Sequence, residues 1–135
     1  MTTEILVNIS PQETRVALVE GGGAQEIYIQ RANRHGLVGN VYKGVIKRVL
    51  PGMQAAFVDI GLDRTAFLHA SDMRRPEGLA ADAPLPSVEV LLSEGQQVLV
   101  QIVKDPLGSK GARLTTLISL PARYLVMLPF ELHVG

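Results

Sequence analysis

Two phenylalanines lie close together in a stretch whose residue types could bind a flat, charged ligand. The stretch is AAFVDIGLDRTAFLH, residues 55–69, and it holds Phe57 and Phe67, two of the three phenylalanines in the chain. Strand side chains alternate between two faces, so both rings fall in the row opposite the apolar residues Ala56, Val58, Ile60, Ala66 and Leu68. The Gly and Asp residues between the two runs predict a turn that closes an antiparallel hairpin. We therefore expect Phe57, Phe67 and His69 to project together from adjacent strands.

Such a face suits single-stranded RNA, because every base offers a π-face and every nucleotide carries a charge. The alternative for Phe57 and Phe67 is that another part of the protein covers this face and buries both rings. For His69 the alternative is a hydrogen-bonded residue at the end of a strand. Two rings and a histidine on one face, beside cations, favour the RNA-binding interpretation.

The basic residues are clustered, although 13 basic and 13 acidic residues leave the chain with no net charge. A zero net charge gives no global argument for a polyanionic partner. The local clusters contain Lys43, in YKGVIKR, and Lys110 and Arg113, in GSKGAR. GSKGAR lacks the Walker spacing and instead predicts a hairpin tip that holds Lys110 outward. We expect Lys43, Lys110 and Arg113 to contact phosphates, and a simple solvated turn is the alternative for Lys110.

Several function classes are disfavoured by the sequence. The chain has no cysteine, which rules out disulfides, cysteine-type zinc sites and iron–sulfur clusters within it and makes a reducing cytoplasm the default location. No apolar stretch is long enough to span a bilayer, and the N-terminus does not resemble a signal peptide. The three histidines are scattered and lack metal-binding spacing. No serine lies in a nucleophile-elbow motif. The sequence thus predicts no catalytic residue, no metal site and no membrane partner.

The elements that must position the candidate residues are mostly strands, since Val, Ile and Thr dominate the regular segments. Three short strands are predicted first, at about residues 4–9, 14–20 and 26–30, with EGGG as the turn between the second and third. A polar, glycine-containing connector then predicts a module boundary near Gly36.

Five further strand segments follow, and they predict an OB-type barrel over residues 36–118. We expect a bulge at Gly44 that bends the first of them. In the fourth, Val98, Val100 and Ile102 should point inward and Gln97 and Gln101 outward. A long loop with a short helix near residues 88–93 separates the third strand from the fourth. Residues 119–135 form an apolar segment with no predicted element to pack against, so we expect the natural protein to continue beyond Gly135.

The same residues carry a family resemblance. The segment GNVYKGVIKRVLPGMQAAFVDIGLDRTAFLHASD resembles an S-one motif, the RNA-binding OB module named after a small-subunit ribosomal protein. The blocks EILVNISPQETRVALVEGGG, LPGMQAAFVDIGLDRTAFLHASDM and VKDPLGSKGARLTTLISLPARYLVMLP resemble the N-terminal part of the bacterial ribonuclease E/G family. This resemblance runs across nearly the whole chain.

The resemblance implies an endoribonuclease that prefers single strands and acts in ribosomal RNA 5′-end maturation and messenger decay. It implies that residues 1–35 begin a ribonuclease-H-like subdomain, that residues 36–118 are an inserted S-one domain, and that residues 119–135 lead toward a 5′-monophosphate sensor. By position, Phe57, Phe67 and Lys110 match RNA contacts of the family. Ala122 and Val126 match residues that line the 5′ pocket, although Ala122 replaces a glycine of some relatives.

The family resemblance also implies features outside these residues. Its magnesium-binding aspartates and zinc-linking cysteines fall beyond Gly135, so this chain should lack the catalytic centre while the full-length enzyme uses Mg²⁺ and forms a homodimer. The alternative is a free-standing OB-fold RNA-binding protein of translation or cold-shock type without nuclease activity. The N-terminal strands and the unfinished tail, which a free-standing barrel does not need, favour the nuclease.

Overall fold

The computed structural model describes residues 2–32 and 36–131, and the chain forms two compact units, Met1–Gly36 and Leu37–Gly135. The first unit is an antiparallel sheet in the order β1 (Thr3–Ile9), β2 (Glu13–Glu20), β3 (Gly23–Arg31). The β2–β3 turn passes through Gly21 and Gly22, whose φ angles of 59° and 82° favour residues without a side chain. The three predicted strands and the turn between the second and third are confirmed.

The second unit is a closed five-stranded barrel. Its strands are β4 (Val41–Leu50), β5 (Ala55–Asp59), β6 (Ala66–His69), β7 (Gln97–Lys104) and β8 (Arg113–Thr115), and they close in the order β4-β5-β6-β8-β7. All neighbouring pairs are antiparallel except β6 and β8, which are parallel. The predicted mainly-β fold with an OB-type barrel is confirmed.

Short elements connect and follow the barrel strands. Two 3-10 turns, Pro51–Met53 and Ala70–Asp72, flank the β5–β6 hairpin, and helix α1 (Val88–Leu91) interrupts the long β6–β7 connection. The helix lies where the sequence predicts it but ends two residues earlier. After β8, strands β9 (Leu120–Pro121) and β10 (Val126–Met127) form a small antiparallel hairpin. Within the described ranges, no helix has the length and apolar character needed to cross a membrane.

The interior of the barrel is filled by side chains from every strand and from α1. Its largest fully buried side chains are Ile46, Val58, Leu68, Val88, Val100, Ile102 and Leu114. Helix α1 is attached to the barrel because the Val88 amide donates to the Gln54 Oε1 atom at 3.0 Å. This packed interior forces the alternate residues of β5 and β6 onto the outer surface.

The bulge of β4 differs from the prediction. The β4–β5 register shifts between Ile46 and Arg48, so the bulge falls at Lys47 and the prediction of a bulge at Gly44 is wrong. Gly44 is instead required by close packing, because a Cβ atom there would lie 2.6 Å from the Cγ1 atom of Val58. The glycine lets β4 and β5 approach each other across the barrel interior.

Gln101 also differs from the prediction. Gln97 is exposed as expected, but Gln101 is only 4% exposed. Its Nε2 atom donates to the carbonyl oxygens of Gly39 and Ser119 at 2.9 and 2.8 Å, and its Oε1 atom accepts from the Ser119 amide at 2.9 Å. The chain following β8 folds back over this part of β7, so a buried amide connects three segments instead of facing solvent.

Candidate nucleic-acid interface

Phe57 and Phe67 lie directly opposite each other on the outer surface of the β5–β6 hairpin. Their ring centroids are 6.4 Å apart in an edge-to-face arrangement with an interplanar angle of 67°. Their strand neighbours Val58 and Leu68 are fully buried, whereas both rings are partly exposed. The predicted alternation is confirmed, and we call the outer surface around these two rings the aromatic face.

His69 extends the aromatic face toward the end of β6. Its ring centroid lies 6.5 Å from that of Phe67, with the planes tilted by 35°. The Nδ1 atom accepts a hydrogen bond from the Ser71 amide at 3.1 Å and lies 2.7 Å from the Ser71 hydroxyl. The neutral ring therefore carries its proton on Nε2. The strand-end hydrogen bond and the place beside Phe67 exist together, so the two interpretations of His69 do not exclude each other.

Arg113 lies next to Phe67 in the parallel β6–β8 pairing. Its Nε atom donates to the Oδ2 atom of Asp72 at 2.9 Å, and its Nη2 atom lies 2.8 Å from the same oxygen in an ion pair. The main chain of Asp72 is held in turn, because its carbonyl accepts from the Thr115 hydroxyl at 2.8 Å and from the Thr116 amide at 3.0 Å. The guanidinium is thus fixed beside the aromatic face and remains 42% exposed.

Lys110 stands on a tight turn between β7 and β8, as the sequence predicts. Leu107 and Lys110 exchange backbone hydrogen bonds of 3.1 and 3.0 Å around Gly108, which has a φ of 57°. The next residue, Gly111, packs directly on the backbone before β6, because a Cβ atom there would lie 1.9 Å from the Thr65 carbonyl oxygen. This contact brings the Lys110 turn alongside the strand that carries Phe67.

Lys43 occupies a different part of the barrel. It lies in the half of β4 that pairs with β7, opposite Leu99, whereas Arg48 in the second half of β4 lies opposite Phe57. Four residues separate the two cations along the strand. The structure therefore places Arg113 at the aromatic face and the Lys110 turn beside the backbone that precedes β6, and it does not bring Lys43 to the same level.

Ala122 and Val126 lie on the β9–β10 hairpin, and both are exposed. Val126 pairs with Pro121, and the Ala122 amide donates to the Leu125 carbonyl at 2.7 Å across the turn. The neighbouring guanidinium of Arg123 lies 5.0 Å from the centroid of the Tyr124 ring. The two residues are thus close together, and the amide of Ala122 is already used within the hairpin.

The acidic residues of the barrel are paired with cations or dispersed. Asp59 lies 3.7 Å from the Lys47 ammonium, and Asp72 holds Arg113. Across residues 2–32 and 36–131, no three His, Asp or Glu side chains gather closely enough to hold a metal ion. The described residues therefore offer cations and aromatic rings, which bind nucleic acid, and no cluster suited to a divalent cation.

The barrel and its aromatic face fall within a known domain family. Residues 37–114, more than half of the chain, match the S1 RNA binding domain. The chain belongs to the S1 RNA binding domain family. The S1 domain begins at the first residue of the second unit and ends within β8, so it includes Phe57, Phe67, His69 and Arg113.

Similarity to individual proteins extends on both sides of the S1 domain. The chain is 59% identical over 140 residues to ribonuclease G of Salmonella typhimurium (strain SL1344) and to ribonuclease G of Escherichia coli (strain K12), and each comparison covers 100% of this chain. It is 42% identical over 135 residues to ribonuclease E of Escherichia coli (strain K12), covering 97% of this chain. The chain spans 29% of the length of these ribonuclease G relatives and 13% of ribonuclease E.

Proposed function

We propose that the aromatic face binds single-stranded RNA. The observation that carries this proposal is the cross-strand pair of Phe57 and Phe67, held outside a fully packed core and flanked by the guanidinium of Arg113. Aromatic rings on a barrel surface stack with bases of any sequence, and adjacent cations neutralise the phosphates. Family membership supports the same ligand, because the matching model describes an RNA binding domain.

Each predicted site residue has a role in this proposal. Phe57 and Phe67 stack with bases, and His69 extends the platform with its Nε2 donor. Lys110 and Arg113 contact phosphates next to the rings. Lys43, in the first half of β4, contacts a more distant part of the RNA strand. Ala122 and Val126 belong to the beginning of a pocket for the RNA 5′ phosphate.

The proposal for the whole protein is an endoribonuclease that acts on ribosomal RNA precursors and messenger RNA in the cytoplasm as a homodimer. It rests on the names of the ribonuclease G and ribonuclease E relatives. Their similarity covers the three-stranded unit as well as the barrel, which favours this proposal over a free-standing OB-fold protein of translation or cold-shock type. In the same proposal, residues 1–35 begin a ribonuclease-H-like subdomain and residues 119–135 lead to the 5′-phosphate sensor.

Cleavage by such an enzyme is proposed to use Mg²⁺, which would act as a Lewis acid on the phosphate. A magnesium site needs carboxylates that converge on one point, and the described residues contain no such group. We therefore assign no step of cleavage to residues of this chain. The contribution proposed for them is to bind and orient the RNA strand.

A binding titration of the 135-residue chain tests the proposal. Fluorescently labelled single-stranded RNA and a duplex of the same sequence are titrated over a series of salt concentrations. We expect the single strand to bind more tightly, with an affinity that falls as salt rises because phosphate contacts release counterions. A preference for the duplex, or an affinity that does not change with salt, would contradict the proposed interface.

A further inference from the structure

Five residues lie at one level across all five strands of the barrel. In the strand pairing, Arg48 of β4 is opposite Phe57, Phe57 is opposite Phe67, Phe67 is opposite Arg113, and Arg113 is opposite Lys104 of β7. Paired residues of neighbouring strands point to the same side of the sheet. The five side chains therefore form one continuous line on the outer surface, which we call the cross-barrel row.

The two end residues reach the outer surface because of two bulges. Counted by simple alternation, Arg48 should share the inward face with Ile46, and Lys104 should share it with Ile102. The register of β4 shifts between Ile46 and Arg48, and the register of β7 shifts between Ile102 and Lys104. Each shift inserts one residue and so moves the following cation to the outer face, where both cations are exposed.

The bending of strands in a small closed barrel accounts for bulges, but it does not account for the basic residue that follows each one. A bulge breaks the regular pairing of a strand and often re-aims a side chain beside a functional site. Here two separate bulges occur in the strands at the two ends of the row, and each is followed by a basic residue. Neither Arg48 nor Lys104 is opposite an acidic residue; their cross-strand partners are Phe57 and Arg113.

We propose that Arg48 and Lys104 are RNA phosphate contacts at the two ends of the cross-barrel row. This inference rests on the proposed RNA-binding function and adds two residues to it. Neighbouring strands are about 4.8 Å apart, so the row is about 19 Å long. A single strand along it meets a cation, two stacking rings and two further cations, which is the combination that general single-strand binding requires.

The surroundings of each cation in the row predict how much RNA binding is lost when the cation is removed, and removal of Arg113 should weaken binding less than removal of Arg48 or Lys104. Arg113 shares its charge with Asp72, whereas Arg48 and Lys104 are exposed at the two ends of the row. Because Arg48 and Lys104 lie beyond opposite ends of the paired part of β4 and β7 and have different cross-strand partners, their contributions to binding should be independent and multiply in the double variant.

The test compares charge-removing variants inside and outside the row. Arg48→Gln and Lys104→Gln remove one row cation each, and Arg48→Lys keeps the charge. The controls are Lys47→Gln, at the β4 bulge beside Asp59, and Arg31→Gln, in the three-stranded unit beside Glu13. All variants have the same single charge change except Arg48→Lys, and thermal melts confirm that each is folded before RNA is added.

We expect each row variant to bind single-stranded RNA roughly 3- to 10-fold more weakly, between the effect of an exposed ion pair and that of a charged hydrogen bond. The slope of log affinity against log salt should decrease in magnitude by about 0.7 for each lost phosphate contact. The controls and Arg48→Lys should keep the parent slope. Row variants with parent affinity and slope would overturn the inference, as would controls that lose as much as the row variants.

The parent chain separates this inference from the function on which it rests. If the unchanged chain does not bind single-stranded RNA, the proposed function fails, and the inference fails with it. If the unchanged chain binds but the row variants bind as tightly as the parent, the function stands and the assignment of Arg48 and Lys104 is wrong.

Discussion

Arg113 and Asp72 form an ion pair in which the guanidinium Nε donates to one carboxylate oxygen at 2.9 Å and Nη2 lies 2.8 Å from the same oxygen. The pair connects the 3-10 turn after β6 with the first residue of β8, and it lies next to Phe67 in the strand register. In the proposed interface, the carboxylate has two effects on RNA binding: it holds the guanidinium in place, and it adds a negative charge near the phosphates.

Asp72→Asn should bind single-stranded RNA a few-fold more tightly at low salt. The main-chain contacts of Asp72 to Thr115 and Thr116 remain in this variant, so the turn keeps its place while a repulsive charge is lost. The half-exposed ion pair contributes no more than about 1 kcal/mol to folding, so stability should fall only slightly. RNA titrations at low and high salt, beside a urea melt, measure both effects.

Asp63→Asn, in the β5–β6 turn, is the control for Asp72→Asn because it changes the net charge equally. It should alter affinity less than the Asp72 variant does. Weaker RNA binding by a stably folded Asp72→Asn chain would show that holding Arg113 matters more than the extra negative charge.

Phe57→Ala and Phe67→Ala should each weaken RNA binding by about 1–3 kcal/mol through lost base stacking. Because the two rings contact each other edge to face, each truncation should also lower the free energy of unfolding by roughly 0.5–1.5 kcal/mol. Leu68→Ala is the matched core variant: its side chain is fully buried, so it should lose about 2–5 kcal/mol of stability. Urea melts and RNA titrations of the three variants give both quantities.

The contrast among these three variants decides what the rings do. Phe variants that melt as early as Leu68→Ala would place the rings in the folding core. Phe variants that fold well and bind RNA like the parent would remove the stacking platform from the proposed function.

The sequence alone predicted the barrel and the orientation of its central hairpin, because alternation in β5 and β6 is regular and local. It did not predict which way Arg48 and Lys104 point, since one inserted residue in β4 and one in β7 reverse the alternation and neither leaves a glycine as a signal. The sequence also did not predict that Asp72 pairs with Arg113, because the two residues are 41 positions apart and come together only through the parallel β6–β8 pairing. Local alternation therefore predicts which side chains of β5 and β6 face outward. The outward cations of β4 and β7 and the Asp72–Arg113 pair depend on bulges and long-range pairing, which the local pattern does not show.

Gly111→Ala should destabilise the barrel by at least about 2 kcal/mol, in the range of overpacking effects. The added Cβ atom would lie 1.9 Å from the Thr65 carbonyl oxygen, and that oxygen belongs to the backbone and cannot rotate away. Separation of β6 from β8 would also move the Lys110 turn, so RNA affinity should fall as well.

Gly52→Ala is the control, because nothing lies within 4 Å of its Cβ position. The stability of this variant should stay within about 0.5 kcal/mol of the parent. A Gly111→Ala chain as stable as Gly52→Ala would contradict the close β6 contact.

Gln101→Leu should cost about 1–3 kcal/mol of folding stability, because three backbone groups of Gly39 and Ser119 lose their part-buried hydrogen bonds to the Gln101 amide. Gln97→Leu makes the same chemical change on the same strand at an exposed position and should stay within about 0.5 kcal/mol of the parent. Urea melts of the two variants separate the buried amide from any general effect of leucine on β7. Equal stabilities would mean that the segment after β8 does not depend on Gln101.

The 135-residue chain should bind 5′-phosphorylated and 5′-hydroxyl RNA with affinities within about twofold, less than the effect of one exposed ion pair. Of the two residues proposed to line the 5′ pocket, Ala122 already donates its amide to Leu125, and Val126 has an apolar side chain. A terminal phosphate needs several donors or a cation in fixed geometry, and the guanidinium of Arg123 is stacked on Tyr124. Competition between two otherwise identical short RNAs measures the ratio directly. A tenfold preference for the phosphorylated end would show that the β9–β10 hairpin recognises the phosphate without further residues.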